Sequence, residues 1–147
     1  MKTQQLSLYA AEHSTDPGPA VENVQDYLDE LRETWWWPRR IHRVFVTFDP
    51  KIPFNGLGRF IRADDAGEVI FSNRTPYTRT VLHELSHVFS QALYGSRAHD
   101  PWFARTHAEV TYLVRGSTAY QNLTRAYTAV GIDFDAKGVV DSQAIRA

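Results

Sequence analysis

The chain contains no cysteine. That absence excludes a disulfide framework, a thiolate metal site and a cysteine nucleophile together, and leaves oxygen and nitrogen as the available metal ligands. No apolar run approaches the ~18 residues that a membrane-spanning helix needs, and the opening stretch from Met1 to His13 has no sustained apolar segment of the secretory kind. A soluble, cytoplasmic protein is the expectation. Neither sign of charge dominates: 16 Lys and Arg stand against 17 Asp and Glu, a formal charge of -1. No global field draws this chain to nucleic acid or an acidic membrane, and only a local patch could do so. Internal repeats and low-complexity tracts are also missing.

What is present fits one globular domain. A chain of 147 residues, 43% hydrophobic and 22% charged, buries roughly two-thirds of the surface its unfolded form exposes, so it needs no structural metal to fold. Any metal therefore points to chemistry. Residues 1–135 are read as the domain and 136–147 as a weakly patterned tail that frays.

A short stretch from Leu6 to Ala11 precedes the turn cluster Asp16-Pro17-Gly18-Pro19. Val21, Val24, Tyr27, Leu28 and Leu31 then recur at three- and four-residue spacing, which predicts a helix over about 20–34 that ends before Pro38. The β-branched and aromatic run Ile41 to Phe48, closed by Asp49-Pro50, predicts a strand. Gly56-Leu57-Gly58 reads as a break, and Arg59–Arg62 with Glu68–Phe71 as a hairpin turned at Ala63-Asp64-Asp65-Ala66-Gly67. Thr75-Pro76 has the form of a cap followed by a first-turn proline, opening a helix that continues to Gly95. Asp100-Pro101 opens another, and Gly116-Ser117 a last one that Gly131 ends.

The helix before Gly95 carries His83-Glu84-Leu85-Ser86-His87, the HExxH pattern. Residues four apart lie one turn apart on one face, so the two imidazoles converge on a single ion while Glu84 projects beside them. Zinc held there acidifies and orients a water, whose proton Glu84 takes and later delivers to the leaving amine. Apolar Val81, Leu82, Leu85, Val88 and Phe89 suit a helix that presents ligands on one side and packs the other into a core. Zinc is preferred to manganese, iron or cobalt because histidine-rich tetrahedral sites usually take it.

A catalytic zinc keeps three protein ligands and leaves one position open. Three side chains qualify as the third: His99, His107 and Glu109. His99 lies in a loop just before a helix, free to turn toward a metal, and is placed first. His107 falls on the apolar stripe of the next helix, where an interior role is commoner. Glu109 would serve as a glutamate from a following helix. Tyr94, Arg97 and Tyr112 have side chains able to stabilise an oxyanion, without a direction that sequence can supply.

Trp35-Trp36-Trp37-Pro38-Arg39-Arg40, followed by His42 and Arg43, joins aromatics to cations. Such a segment could stack on single-stranded nucleic acid. The preferred reading is a helix end that buries two of the indoles beneath arginines that reach water.

The residues His83-Glu-Leu-Ser-His87 and His99-Asp-Pro-Trp-Phe103, with Leu8-Tyr9-Ala-Ala-Glu12 and Ala126-Tyr-Thr-Ala-Val-Gly131 near the ends, resemble the small metallohydrolases of actinobacteria and their phages over nearly the whole chain. More distantly they resemble the SprT-like and other minimal zincin metallopeptidases, whose pattern is HELxH followed by His-Gly-Pro-x-Phe. The resemblance implies one zinc per chain on His83, His87 and His99, with Glu84 as general base. Asp100 stands where the pattern has glycine, Ser86 where it has alanine, and His107 where it is often aromatic. The fold implied is a single-domain, zincin-like α+β protein: an N-terminal helix, a small and mainly antiparallel sheet, the HExxH helix and two closing helices. In zincins a sheet-edge strand lines the cleft antiparallel to the bound peptide, and Glu68–Ser72 is expected to be that edge, to which a peptide substrate adds as a strand. The activity expected is peptide-bond hydrolysis; the alternative is a non-catalytic, metal-stabilised interaction protein, with association to nucleic acid as one form of it.

Overall fold

The computed structural model describes residues 10–132. The stretch Leu6 to Tyr9 and the tail from Ala136 lie outside the described residues. The elements, in order, are α1 (Val24–Arg32), β1 (Val44–Phe48), β2 (Gly56–Ile61), β3 (Ala66–Phe71), α2 (Thr78–Tyr94), α3 (Pro101–Arg115) and α4 (Ser117–Ala129), with a helical turn at 10–13 before them. The architecture is α+β.

α1 is shorter than its apolar periodicity suggests because Asn23 caps it, its side chain accepting from Asp26 N at 3.0 Å. Val24 and Leu28 form its buried stripe. The tryptophan segment follows: Trp36 and Trp37 are buried edge-on against Phe89 of α2, Trp37 Nε1 donates to Ile41 O at 2.8 Å, and Trp35 is exposed. Two of the three indoles are thus core, as expected. The nearby cations Arg40, Arg43 and Arg59 are engaged by Ala92 O, Asp29 and Glu68.

The three-stranded sheet has the order β1-β3-β2. β2 and β3 pair antiparallel as the hairpin reading requires, turning through Arg62–Asp64 and Asp65, but β1 pairs β3 in parallel. The sheet is therefore mixed rather than mainly antiparallel. The expectation for Glu68–Ser72 is also corrected: β3 is the central strand, hydrogen-bonded on both sides, and no further strand can add to it. The edges are β1 and β2. Gly56 and Gly58, read as a break, lie inside β2, because that strand presses directly on α2. A Cβ at Gly58 would stand 2.1 Å from Glu84 O, closer than any side chain permits.

α2 crosses beneath the sheet with residues 81–90 all buried. Its N-terminus differs from the Thr75-Pro76 reading: the helix starts at Thr78 without a side-chain cap. Its first free donors, Thr78 N and Arg79 N, are instead satisfied by Pro19 O and Pro17 O, both at 2.9 Å. At the other end Gly95 adopts the left-handed conformation (φ 68°) that closes the helix. The main core joins α1, the two tryptophans, the sheet and α2; a smaller core joins Ala11, Phe103, Ala104, Leu123, Tyr127 and Ile132. The polar face of α2 lies between them.

Candidate metal centre

His83 and His87 project from the same face of α2 into that gap. The turn after Gly95 brings His99 back toward them. Asp100 fixes the turn: its carboxylate receives Phe103 N at 3.0 Å as the cap of α3 and Ser96 Oγ at 2.7 Å. The aspartate that replaces the glycine of the resembled pattern therefore secures the loop that carries His99.

The three imidazoles meet at their Nε2 atoms. His99 Nε2 lies 3.2 Å from His83 Nε2 and 3.0 Å from His87 Nε2. Nitrogens bound tetrahedrally at 2.0–2.1 Å from an ion stand about 3.3 Å apart, so the spacing fits a shared cation. Mutual hydrogen bonding does not account for it, since His99 Nε2 carries at most one proton and faces two neighbours. Phe103, fully buried, forms the wall behind them, with its ring stacked on His87 at 4.1 Å and within 5.0 Å of His83 and His99. His87 Nδ1 has no partner among the described residues, where packing on Phe103 holds that ring.

His83 is held by a carboxylate that pattern reading missed. Glu12 Oε2 lies 2.7 Å from His83 Nδ1, both groups buried. Donation from Nδ1 leaves the Nε2 lone pair directed at the centre. Behind Glu12, His107 is fully enclosed, its Nε2 3.8 Å from Glu12 Oε1 and its Nδ1 2.6 Å from Tyr127 Oη. Glu12, His83 and His107 also lie close enough to form a ligand group. The Glu12–His83 hydrogen bond, backed by the 3.8 Å approach of His107 to Glu12, makes this a supporting group for His83. Glu12 stands 71 residues from His83, and no periodicity connects them.

Electrostatics separates these groups. Burial drives the His87 imidazole far below its ordinary value, helped by the neighbouring histidines, and lowers His99 to about 4; both are neutral near pH 7, as ligands must be. Burial also opposes a proton on His83, but the carboxylates of Glu12 and Glu84 outweigh it and raise His83 to about 9 in the metal-free protein, so a cation binding there would have to displace the Nε2 proton. Burial raises Glu84 to about 7. For Glu12 burial is overridden by the charges of His83 and His107, which bring it down to about 2.

Of the three candidates for the third ligand, His99 joins His83 and His87, His107 lies in the network behind Glu12, and Glu109 is in neither group. Glu84 lines a cleft of about 790 Å³ with the three histidines, Arg97 and β2. Of the oxyanion candidates Arg97 lines that cleft, whereas Tyr94 stacks on Trp102 and Tyr112 packs edge-on against Tyr120. No helix among the described residues is long and apolar enough to cross a membrane. Compared with known proteins, the chain matches no family model, no curated protein and no solved structure.

Proposed function

We propose that the chain is a zinc-dependent hydrolase that cleaves peptide bonds, with one zinc held by His83, His87 and His99. The observation that carries this reading is the convergence of three Nε2 atoms, at 3.0 and 3.2 Å, in a cleft that also contains a buried carboxylate. The likeness of the HELSH and HDPWF segments to minimal zincins accords with it.

When bound, zinc supplies Lewis acidity toward the scissile carbonyl and toward water. The protein's own groups supply the rest. Glu84 takes the proton of the attacking water and returns it to the leaving amine, and a carboxyl raised to about 7 by burial is suited to both transfers near neutrality. Arg97, in the loop of His99, offers a guanidinium to the negative charge that develops on the acyl oxygen. β2, the edge strand that borders the cleft, replaces Glu68–Ser72 as the strand that a peptide joins.

Glu84→Gln tests the reading. The variant keeps its metal under any hypothesis, whereas peptide hydrolysis falls by about 10²–10⁴ only if Glu84 is the base. Equal turnover by both proteins removes Glu84 as the base, and no turnover by the zinc-loaded wild type on a broad peptide mixture favours a metal-stabilised interaction protein instead.

A further inference from the structure

Both edges of the sheet are closed by a glutamine. On β1, Gln25 of α1 donates to Val44 O at 2.9 Å and accepts from Val46 N at 3.0 Å. On β2, Gln91 of α2 accepts from Phe60 N at 2.8 Å and donates to Gly58 O at 3.3 Å. Each amide stands where the peptide group of another strand would stand, a device that protects an edge from pairing. The two edges differ in one respect. Gln91 borders the cleft, and its plug covers only part of β2.

Alternate residues of an edge strand direct their N–H and C=O away from the sheet. The Gln91 bonds identify that set in β2 as the even-numbered residues, Gly56, Gly58 and Phe60. Phe60 is further covered by Arg40, whose guanidinium lies 5.2 Å from the ring centroid and bonds to Ala92 O. Among the described residues Gly56 is the open position, and it adjoins the reacting groups: a Cβ there would sit 3.1 Å from Glu84 Oε2. A peptide joining β2 antiparallel runs with its N-terminal residues toward Phe60.

We infer that Gln91 limits how many residues of a peptide fit on the N-terminal side of the cleaved bond. From Gly56 the ladder is open for about two residues, roughly 7 Å at ~3.3 Å per residue, before Gln91 occupies Gly58 O and Phe60 N. The substrates favoured are peptides cut close to their N-terminus. This rests on the peptidase reading, and the site it assigns is a specificity determinant outside the metal centre.

The experiment compares zinc-loaded wild type, Gln91→Ala, Gln91→Glu and Gln25→Ala on a peptide mixture from a digested unrelated proteome, with cleavage sites read by mass spectrometry. Wild type and Gln25→Ala are expected to cut within about two residues of the peptide N-terminus. Gln91→Ala raises the share of internal cuts at least tenfold, while Gln91→Glu, which keeps the acceptor for Phe60 N–H, stays near wild type. Indistinguishable distributions in wild type and Gln91→Ala overturn the inference. A second readout is independent of turnover: amide NMR of zinc-loaded Glu84→Gln with the same peptides, with and without Gln91→Ala. Peptides that perturb the Gly56 amide alone, and Phe60 as well once Gln91 is removed, support the plug even if no protein cleaves anything, in which case the hydrolase reading alone fails. Peptides that perturb both amides with Gln91 in place, or neither amide in any variant, refute it.

Discussion

Glu12 accepts the Nδ1 proton of His83 at 2.7 Å, so a carboxylate on the helical turn at 10–13 sets the ring orientation of a proposed metal ligand on α2. The turn is itself tied to that helix: Arg79 Nη1 donates to Thr15 O at 2.7 Å and to Glu12 O at 3.4 Å. Order in the turn at 10–13 and order at the candidate metal centre are thus coupled.

Glu12→Gln keeps the size of the side chain and removes its charge. Loss of such an outer carboxylate weakens metal binding by about 10–100-fold. Competition with a chromogenic chelator measures this, and an unchanged affinity would show that His83 needs no orienting partner.

Acid acts on the metal-free protein through His107. Its folded pKa is lowered by burial from 6.5 to about 4. The stability gained by keeping it neutral is therefore complete above pH 6.5 and lost as pH falls through 4, on the order of 3 kcal/mol. His99 acts with the same sign over the same range and His87 with the same sign, whereas Glu12 enters lower, its contribution present above 4.5 and lost as pH falls toward 2, and His83 acts oppositely, its contribution present below 6.5 and lost as pH rises through 9. Urea unfolding at pH 7 and pH 4.5 should show a smaller pH difference for His107→Gln than for wild type. Equal differences would place the acid sensitivity elsewhere.

Gly58→Ala and Gly95→Ala test two different uses of glycine. At Gly58 the added Cβ meets backbone at 2.1 Å, so β2 must move off α2, at a cost of about 2–4 kcal/mol. At Gly95 an added Cβ meets no other part of the described residues within 4 Å and only the left-handed backbone resists, at about 1 kcal/mol. Denaturation midpoints should keep that order.

Asp100→Ala removes both the cap of α3 and the anchor of Ser96. A loss of about 1–2 kcal/mol is expected, with weaker metal binding because His99 is the adjacent residue. Asp100→Asn, which can still accept from Phe103 N, should retain most of the stability; calorimetry of the three proteins checks this.

α2 was legible because its signals are local: HExxH fixes one face, Gly95 ends the helix, and Asp100-Pro101 starts the next so that His99 turns back. Other features depend on contacts that no local pattern encodes. The hairpin of β2 and β3 could be read from its turn, but the parallel docking of β1 on the other side of β3 could not, and it moved the edge from Glu68–Ser72 to β2. Gly56 and Gly58 look like a break because the helix they accommodate lies more than 20 residues on. The start of α2 looked like Thr75-Pro76 because the carbonyls that replace its cap belong to Pro17 and Pro19. Glu12 shares no period with the residue it orients.

The central claim is that His83, His87 and His99 hold one metal ion. Elemental mass spectrometry of metal per chain tests it most directly, on zinc-reconstituted wild type beside His87→Ala, His99→Ala, His107→Ala and Glu109→Ala. About one zinc is expected in wild type, lost in His87→Ala and His99→Ala and retained in His107→Ala and Glu109→Ala. A wild-type chain that takes up no zinc, or a His99→Ala variant that keeps a full equivalent while Glu109→Ala loses it, would contradict the account.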